Sequence, residues 1–219
     1  MEQYLPVPAA VLTAIQTGDI EQLRFLYNPD IELEAIAKYA AKENQAQVLE
    51  WCYAKGWTPS TDDLNEPFFI AAICNPSIEF WQVLLNHGYD MNAYTTETLG
   101  DALASAVMFG EHDFAKWLLE HGHKVNPREP TIQPECSIAR AVRGDAASID
   151  MLRALLDHGF ELAEYGAATA AVEEENVEAL KLLLAHGGFD VDEVVMWWYP
   201  FDDERDEPTD SEAFAGTWG

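Results

Sequence analysis

FWQVLLNHGYDMNA, residues 80–93, is followed 34 residues later by AKWLLEHGHKVNP, residues 115–127. Leu84/Leu118, Leu85/Leu119, His87/His121, Gly88/Gly122 and Asn92/Asn126 coincide at that one offset. In each copy a run with apolar residues on one helical face ends in Leu-Leu-x-His-Gly, and a short extended piece closes on Asn. Self-similarity at a period of this size is the mark of a stacked repeat array, in which no unit buries its apolar face alone.

The echo extends both ways. MLRALLDHGF (151–160) and ALKLLLAHGGFDVDE (179–193) continue it downstream, and VLEWCYAKGW (48–57) and IEQLRFLYN (20–28) precede it. About six units result. The spacing between their closing glycines varies from 28 to 37 residues, as expected where loops absorb insertions and a helix pair stays constant.

Each unit resembles an ankyrin repeat: a first helix, a tight turn with Gly, a second helix ending in Leu-Leu, then Gly and a projecting finger. The tight turns are Gly18-Asp19, Gly110-Glu111 and Gly144-Asp145, and the fingers include Tyr89-Asp90-Met91-Asn92, His123-Lys124-Val125-Asn126 and Phe189-Asp190-Val191-Asp192. The family's Thr-Pro-Leu-His helix start is absent. Asp101-Ala102-Leu103-Ala104 and Gly166-Ala167-Ala168-Thr169 stand where it would fall, so its side-chain network must be replaced or missing. The resemblance implies an all-α solenoid of about six helix-turn-helix repeats with projecting fingers. It speaks to scaffold rather than to partner, since unrelated functions share one fold.

The expected layout is an N-terminal leader (1–8), a repeat array (9–195) and an aromatic and acidic C-terminal segment (196–219). In that last segment MWWYPF (196–201) precedes DDERDEPTDSE (202–212), and its aromatics are candidates to cap the open end of the stack. Two further loops stand out for their length, 89–98 and 123–134, the second restrained by Pro127, Pro130 and Pro134.

Thirty-nine acidic residues against 12 basic give a formal charge of −27. That sign opposes direct binding to nucleic acid or an anionic membrane, because phosphate contacts need cations. Three cysteines at no ligand spacing read as reduced thiols, and no apolar run reaches the length of a membrane span. An intracellular monomer, in cytoplasm or nucleus, is expected.

No motif carries catalysis. His87, His121, His158 and His186 each stand at or near a helix end, where an imidazole can meet a last-turn carbonyl and the negative pole of the helix. Recurring once per unit, they are too far apart to share an ion. Cys52, Cys74 and Cys136 have apolar neighbours and are expected buried, with no base placed beside them. Neither an enzyme nor a cofactor is expected.

What remains is a binding surface of fingers and first helices, the concave groove of the resemblance. Its candidate contact residues are Trp57, Tyr89, Asp90, Tyr94, Glu97, Arg128, Glu129, Phe160 and Tyr165, aromatic or long side chains with acidic companions. Asn92 and Asn126 are expected to brace the finger turns. In the family, some finger asparagines are also substrates of a hydroxylase, so both are candidate modification sites. The reading is a non-catalytic adaptor or inhibitor that binds a basic protein. Two alternatives stand beside it: an acidic nucleic-acid mimic occupying a basic cleft, and an enzyme or small-ligand binder.

Overall fold

The computed structural model describes residues 7–59, 66–92, 100–125, 137–143, 148–160 and 167–187. The chain divides into two units, Met1–Phe189 and Asp190–Gly219, and every described residue belongs to the first. The expected leader contributes only residues 7 and 8, and the expected C-terminal cap lies outside the described residues.

Among the described residues the protein is all helical, with no sheet. Twelve helices follow one another: α1 (Ala9–Thr17), α2 (Ile20–Leu26), α3 (Leu33–Lys42), α4 (Ala46–Ala54), α5 (Glu66–Cys74), α6 (Ile78–Asn86), α7 (Ala102–Met108), α8 (His112–Glu120), α9 (Ser137–Arg140), α10 (Ile149–Asp157), α11 (Ala167–Glu173) and α12 (Val177–His186). Odd-numbered helices pack in order, α1 on α3, then α5, α7, α9 and α11. Even-numbered helices form the second layer, α2 on α4 on α6 and α8 on α10 on α12. Between α6 and α8 the layer is closed by Trp81 and Phe114, whose ring centroids lie 5.4 Å apart.

The chain reverses through one device used repeatedly. After α1, α3, α7 and α11 a residue with positive φ follows the helix: Gly18, Asn44, Gly110 and Glu175. The next N–H then reaches back five residues to an alanine carbonyl: Asp19 to Ala14, Gln45 to Ala40, Glu111 to Ala106 and Asn176 to Ala171. Such a left-handed cap satisfies carbonyls that the helix end leaves open. Ala14, Ala40, Ala72, Ala106, Ala141 and Ala171 form a column that is 0–1 % exposed. Only a methyl fits where the turn backbone closes over the helix. The second helices end the same way: Trp57 N–H bonds Cys52 O, Tyr89 bonds Leu84, His123 bonds Leu118 and Phe160 bonds Leu155.

Starts are equally specific. Asp19, Ser77, Asp101, Ser148 and Asn176 each accept from the backbone N–H three residues on. The missing Thr-Pro-Leu-His network is thus partly replaced: Asp101 caps α7 through Ala104 N–H at 2.7 Å. Arg140, only 6 % exposed, donates from Nη1 to Ala104 O at 3.2 Å and ties α9 to α7.

Three expectations are corrected. Trp57 and Phe160, read as exposed contact residues, are buried, at 6 % and 2 % exposure. Each follows the left-handed glycine of its cap, and in that position a side chain folds back onto the last turn of its helix. Cys74, expected buried, is exposed at the end of α5, because Ala72 and Ile73 take the inward positions of that last turn.

Leu119 is 4 % exposed within α8. Leu119→Ala should cost about 2–5 kcal/mol through lost transfer energy and the cavity left behind, read from a denaturant titration. The caps make a paired prediction. Gly122 has φ +91° with open space around a would-be Cβ, so Gly122→Ala should destabilise by about 1 kcal/mol through backbone conformation alone. Glu175 already occupies that region at φ +51°, so Glu175→Gly should raise the melting temperature rather than lower it.

Candidate functional site

Of the residues assigned to binding, the described ones are Trp57, Tyr89, Asp90 and Phe160; Tyr94, Glu97, Arg128, Glu129, Tyr165 and Asn126 lie outside the described residues. Trp57 is a wedge between helices. Its indole Nε1 donates to Glu34 Oε2 of α3 at 2.7 Å, and its ring meets Tyr53 at 5.1 Å and Phe68 of α5 at 5.3 Å. Tyr89 is half-buried, edge-on to Trp81 at 6.2 Å. Asp90 is exposed.

The described start of the loop after α6, Tyr89–Asn92, is braced. Asp90 Oδ1 accepts from Asn92 N–H at 2.9 Å, a local turn. Asn92 Oδ1 then accepts from Lys124 N–H at 2.8 Å, and its Nδ2 donates to Gly122 O at 3.4 Å. One amide side chain therefore joins this loop to the loop after α8. The result is a ledge in which Asp90 projects beside backbone held in place.

The histidines divide by role. His121 Nδ1 donates to Trp117 O at 2.8 Å and His158 Nδ1 to Ala154 O at 2.7 Å, each meeting a last-turn carbonyl of its own helix. His121 also stacks on Trp117, centroids 4.3 Å apart. His87 instead reaches the neighbouring α4: its Nε2 is 3.1 Å from both Glu50 carboxylate oxygens, and its ring lies 3.8 Å from Tyr53 at 3°. His123 is 6 % exposed, its Nδ1 donating to Lys124 O at 2.9 Å. No group of three or more His, Cys, Asp or Glu among the described residues could hold a metal ion.

Burial pushes the Cys52 thiol up to about 12, with Glu34 adding to the effect. It stays a thiol near neutrality and is a poor nucleophile. Tyr53 is likewise held well above the ordinary tyrosine range, first by burial and then by Glu50 and Cys52. Two features escaped the sequence reading. Phe109 is 50 % exposed at the end of α7. Arg140 is the buried tie, and a lone cation inside the apolar run SIARAV was the signal available for it.

Two layers of short helices, most of them turned back by a left-handed cap, define a repeat scaffold. Residues 37–129 are similar to the family model of ankyrin repeats, in three copies. Ankyrin repeats are non-catalytic units that mediate protein–protein interaction. No curated protein matches the chain. No helix among the described residues is long and apolar enough to cross a membrane.

Asn92→Ala removes both bonds between the two loops and should cost about 1–2 kcal/mol. Asn92→Asp keeps the acceptor for Lys124 N–H and loses the donor to Gly122 O, so its loss should be the smaller. Hydrogen exchange at the Lys124 amide checks the assignment: it should quicken in Asn92→Ala and much less in Asn92→Asp.

Proposed function

We propose that the chain is an intracellular, monomeric protein-binding module of six ankyrin units, an adaptor or inhibitor whose first helices and fingers receive a basic protein partner. The braced ledge at Asp90–Asn92 is the observation that carries this reading. A loop already tied to its neighbour loses little freedom on binding, which leaves more of the contact energy as affinity. The charge of −27 supports a basic partner, because a field of that sign raises the encounter rate of cations. Tyr89, Asp90, Tyr94, Glu97, Arg128, Glu129 and Tyr165 remain the proposed contact residues. Trp57 and Phe160 drop out, since a buried side chain has no surface to offer. Asn92 and Asn126 keep a proposed second role as modification sites.

The test is kinetic. A partner captured from source cells at low salt should associate steeply more slowly between 50 mM and 500 mM salt, with a smaller change in dissociation. Asp90→Asn should act mainly on association. Tyr94→Ala should act mainly on dissociation, at about 2 kcal/mol or more for a central anchor. An acidic partner, or an association rate indifferent to salt, would overturn the electrostatic part of the reading.

A further inference from the structure

Three helices of the even-numbered layer end alike, and one of them behaves differently. α6, α8 and α10 are each nine residues long, and each is followed at its C-cap by a histidine: His87, His121 and His158. His121 and His158 turn Nδ1 onto the carbonyl four residues back in their own helix, at 2.8 and 2.7 Å. His87 reaches across to the preceding helix pair. Its Nε2 lies 3.1 Å from both oxygens of Glu50 on α4, and its ring is stacked on Tyr53, centroids 3.8 Å apart and planes within 3° of parallel.

The residues on the preceding helix account for the difference. Glu50 and Tyr53 are the fifth and eighth residues of α4. At those two places α6, which comes before the helix of His121, has Gln82 and Leu85. α8, which comes before the helix of His158, has Lys116 and Leu119. Of these three helices only α4 presents a carboxylate and a ring together. An amide and a leucine make no charge pair with an imidazole, and a lysine opposes a charged one.

A neutral imidazole can give Glu50 one hydrogen bond. A charged one adds an ion pair with the carboxylate and a cation–π contact with the face of Tyr53. The open carbonyls at the end of α6 favour the same charge, but they do so equally for His121 and His158. Among the described residues the titratable side chains in contact with His87 are Glu50 and Tyr53, both of α4. Tyr53 keeps its proton, because burial first, and then Glu50 and Cys52, hold it well above the ordinary tyrosine range. The nearby cations are engaged elsewhere. Arg24 of α2 lines the same recess as Glu50 but bonds Glu21 at 2.7 Å, and Lys55 lies over the Tyr27 and Trp51 rings.

We propose that His87 and Glu50 form a pH-responsive latch between the second helix pair, α3 and α4, and the third, α5 and α6, closed when His87 is protonated. The stabilisation is present in acid and is lost as the ring deprotonates with rising pH, in the range where histidine changes charge. In a linear array the contact between neighbouring units sets how far they fold and open together. The latch therefore couples the first two helix pairs to the rest more tightly in acid. It does not depend on the binding reading given for the ledge at Asp90–Asn92.

Overall stability at two pH values does not isolate the latch, because acid also relieves the self-repulsion of a chain charged −27. A double-mutant cycle does. His87→Gln, Glu50→Gln and the double variant of the full chain are unfolded in urea at about pH 5.5 and about pH 8, on either side of the histidine range. Coupling between the two substitutions should change the unfolding constant about two- to fivefold in acid, as for an exposed ion pair, and shrink toward onefold at the higher pH. The same cycle with His158→Gln in place of His87→Gln is the control, and it should show no coupling at either pH. Coupling as large or larger at about pH 8 overturns the proposal, and so does its absence at both. A pH-dependent coupling of equal size in the His158 cycle would assign the effect to the general field of the chain and overturns it as well.

Discussion

Everything in this helix array depends on ending each helix within three turns and, after α1, α3, α7 and α11, reversing the chain within a few residues. A helix of four to ten residues is marginal alone in water. It persists here because its apolar face is buried by neighbours and because the open carbonyls at its end are satisfied by a left-handed cap. The two requirements meet in the alanine column. The carbonyls of Ala14, Ala40, Ala106 and Ala171 accept the turn N–H, and their methyls are small enough for the turn to close over them. A larger side chain there would push the two layers apart at a joint that recurs along the array.

Contacts along the layers are largely aromatic. Trp57 meets Phe68, Phe68 lies 6.2 Å from Phe80, Phe69 is edge-on to Trp81, and Trp81 meets Phe114. Large rings span the distance between helices that carry many alanines, and tilted or edge-on geometry suits their quadrupoles. The two indoles are satisfied: Trp81 Nε1 donates to Ala72 O and Trp57 Nε1 to Glu34. Side-chain ties supplement the rings between successive units. Gln45 reaches Gln16 O, Asn92 reaches Gly122 and Lys124, and Arg140 reaches Ala104 O. Each binds a side chain of one unit to the backbone of its neighbour, so local order and order along the array are coupled.

That coupling bears on function. A repeat scaffold has for binding only the side chains that its own packing leaves exposed. Asp90 is exposed beside the Asn92 brace, and Val172, Val177 and Leu184 are exposed in the last two described helices. Trp57 and Phe160 are not exposed, although in the sequence they resemble Tyr89 in every local respect.

The amino-acid sequence by itself determined the helices and their reversals. The 34-residue echo, the Leu-Leu-x-His-Gly endings and glycines such as Gly18 and Gly110 are local signals, and local signals decide where a helix ends. Asn44 and Glu175 were invisible to that reading, because their positive φ is imposed by a cap that other residues complete. The inward or outward fate of side chains next to a glycine was decided only by tertiary structure. The cap turns the following residue back onto its own helix, so Trp57 and Phe160 went inward. The same holds for Arg140, whose place in the core depends on the Ala104 carbonyl 36 residues earlier. Val142, just past α9, is buried, whereas Val172 in α11, the last odd-numbered helix among the described residues, is 62 % exposed. Exposure is a property of neighbours, and neighbours in space are what a linear sequence does not list.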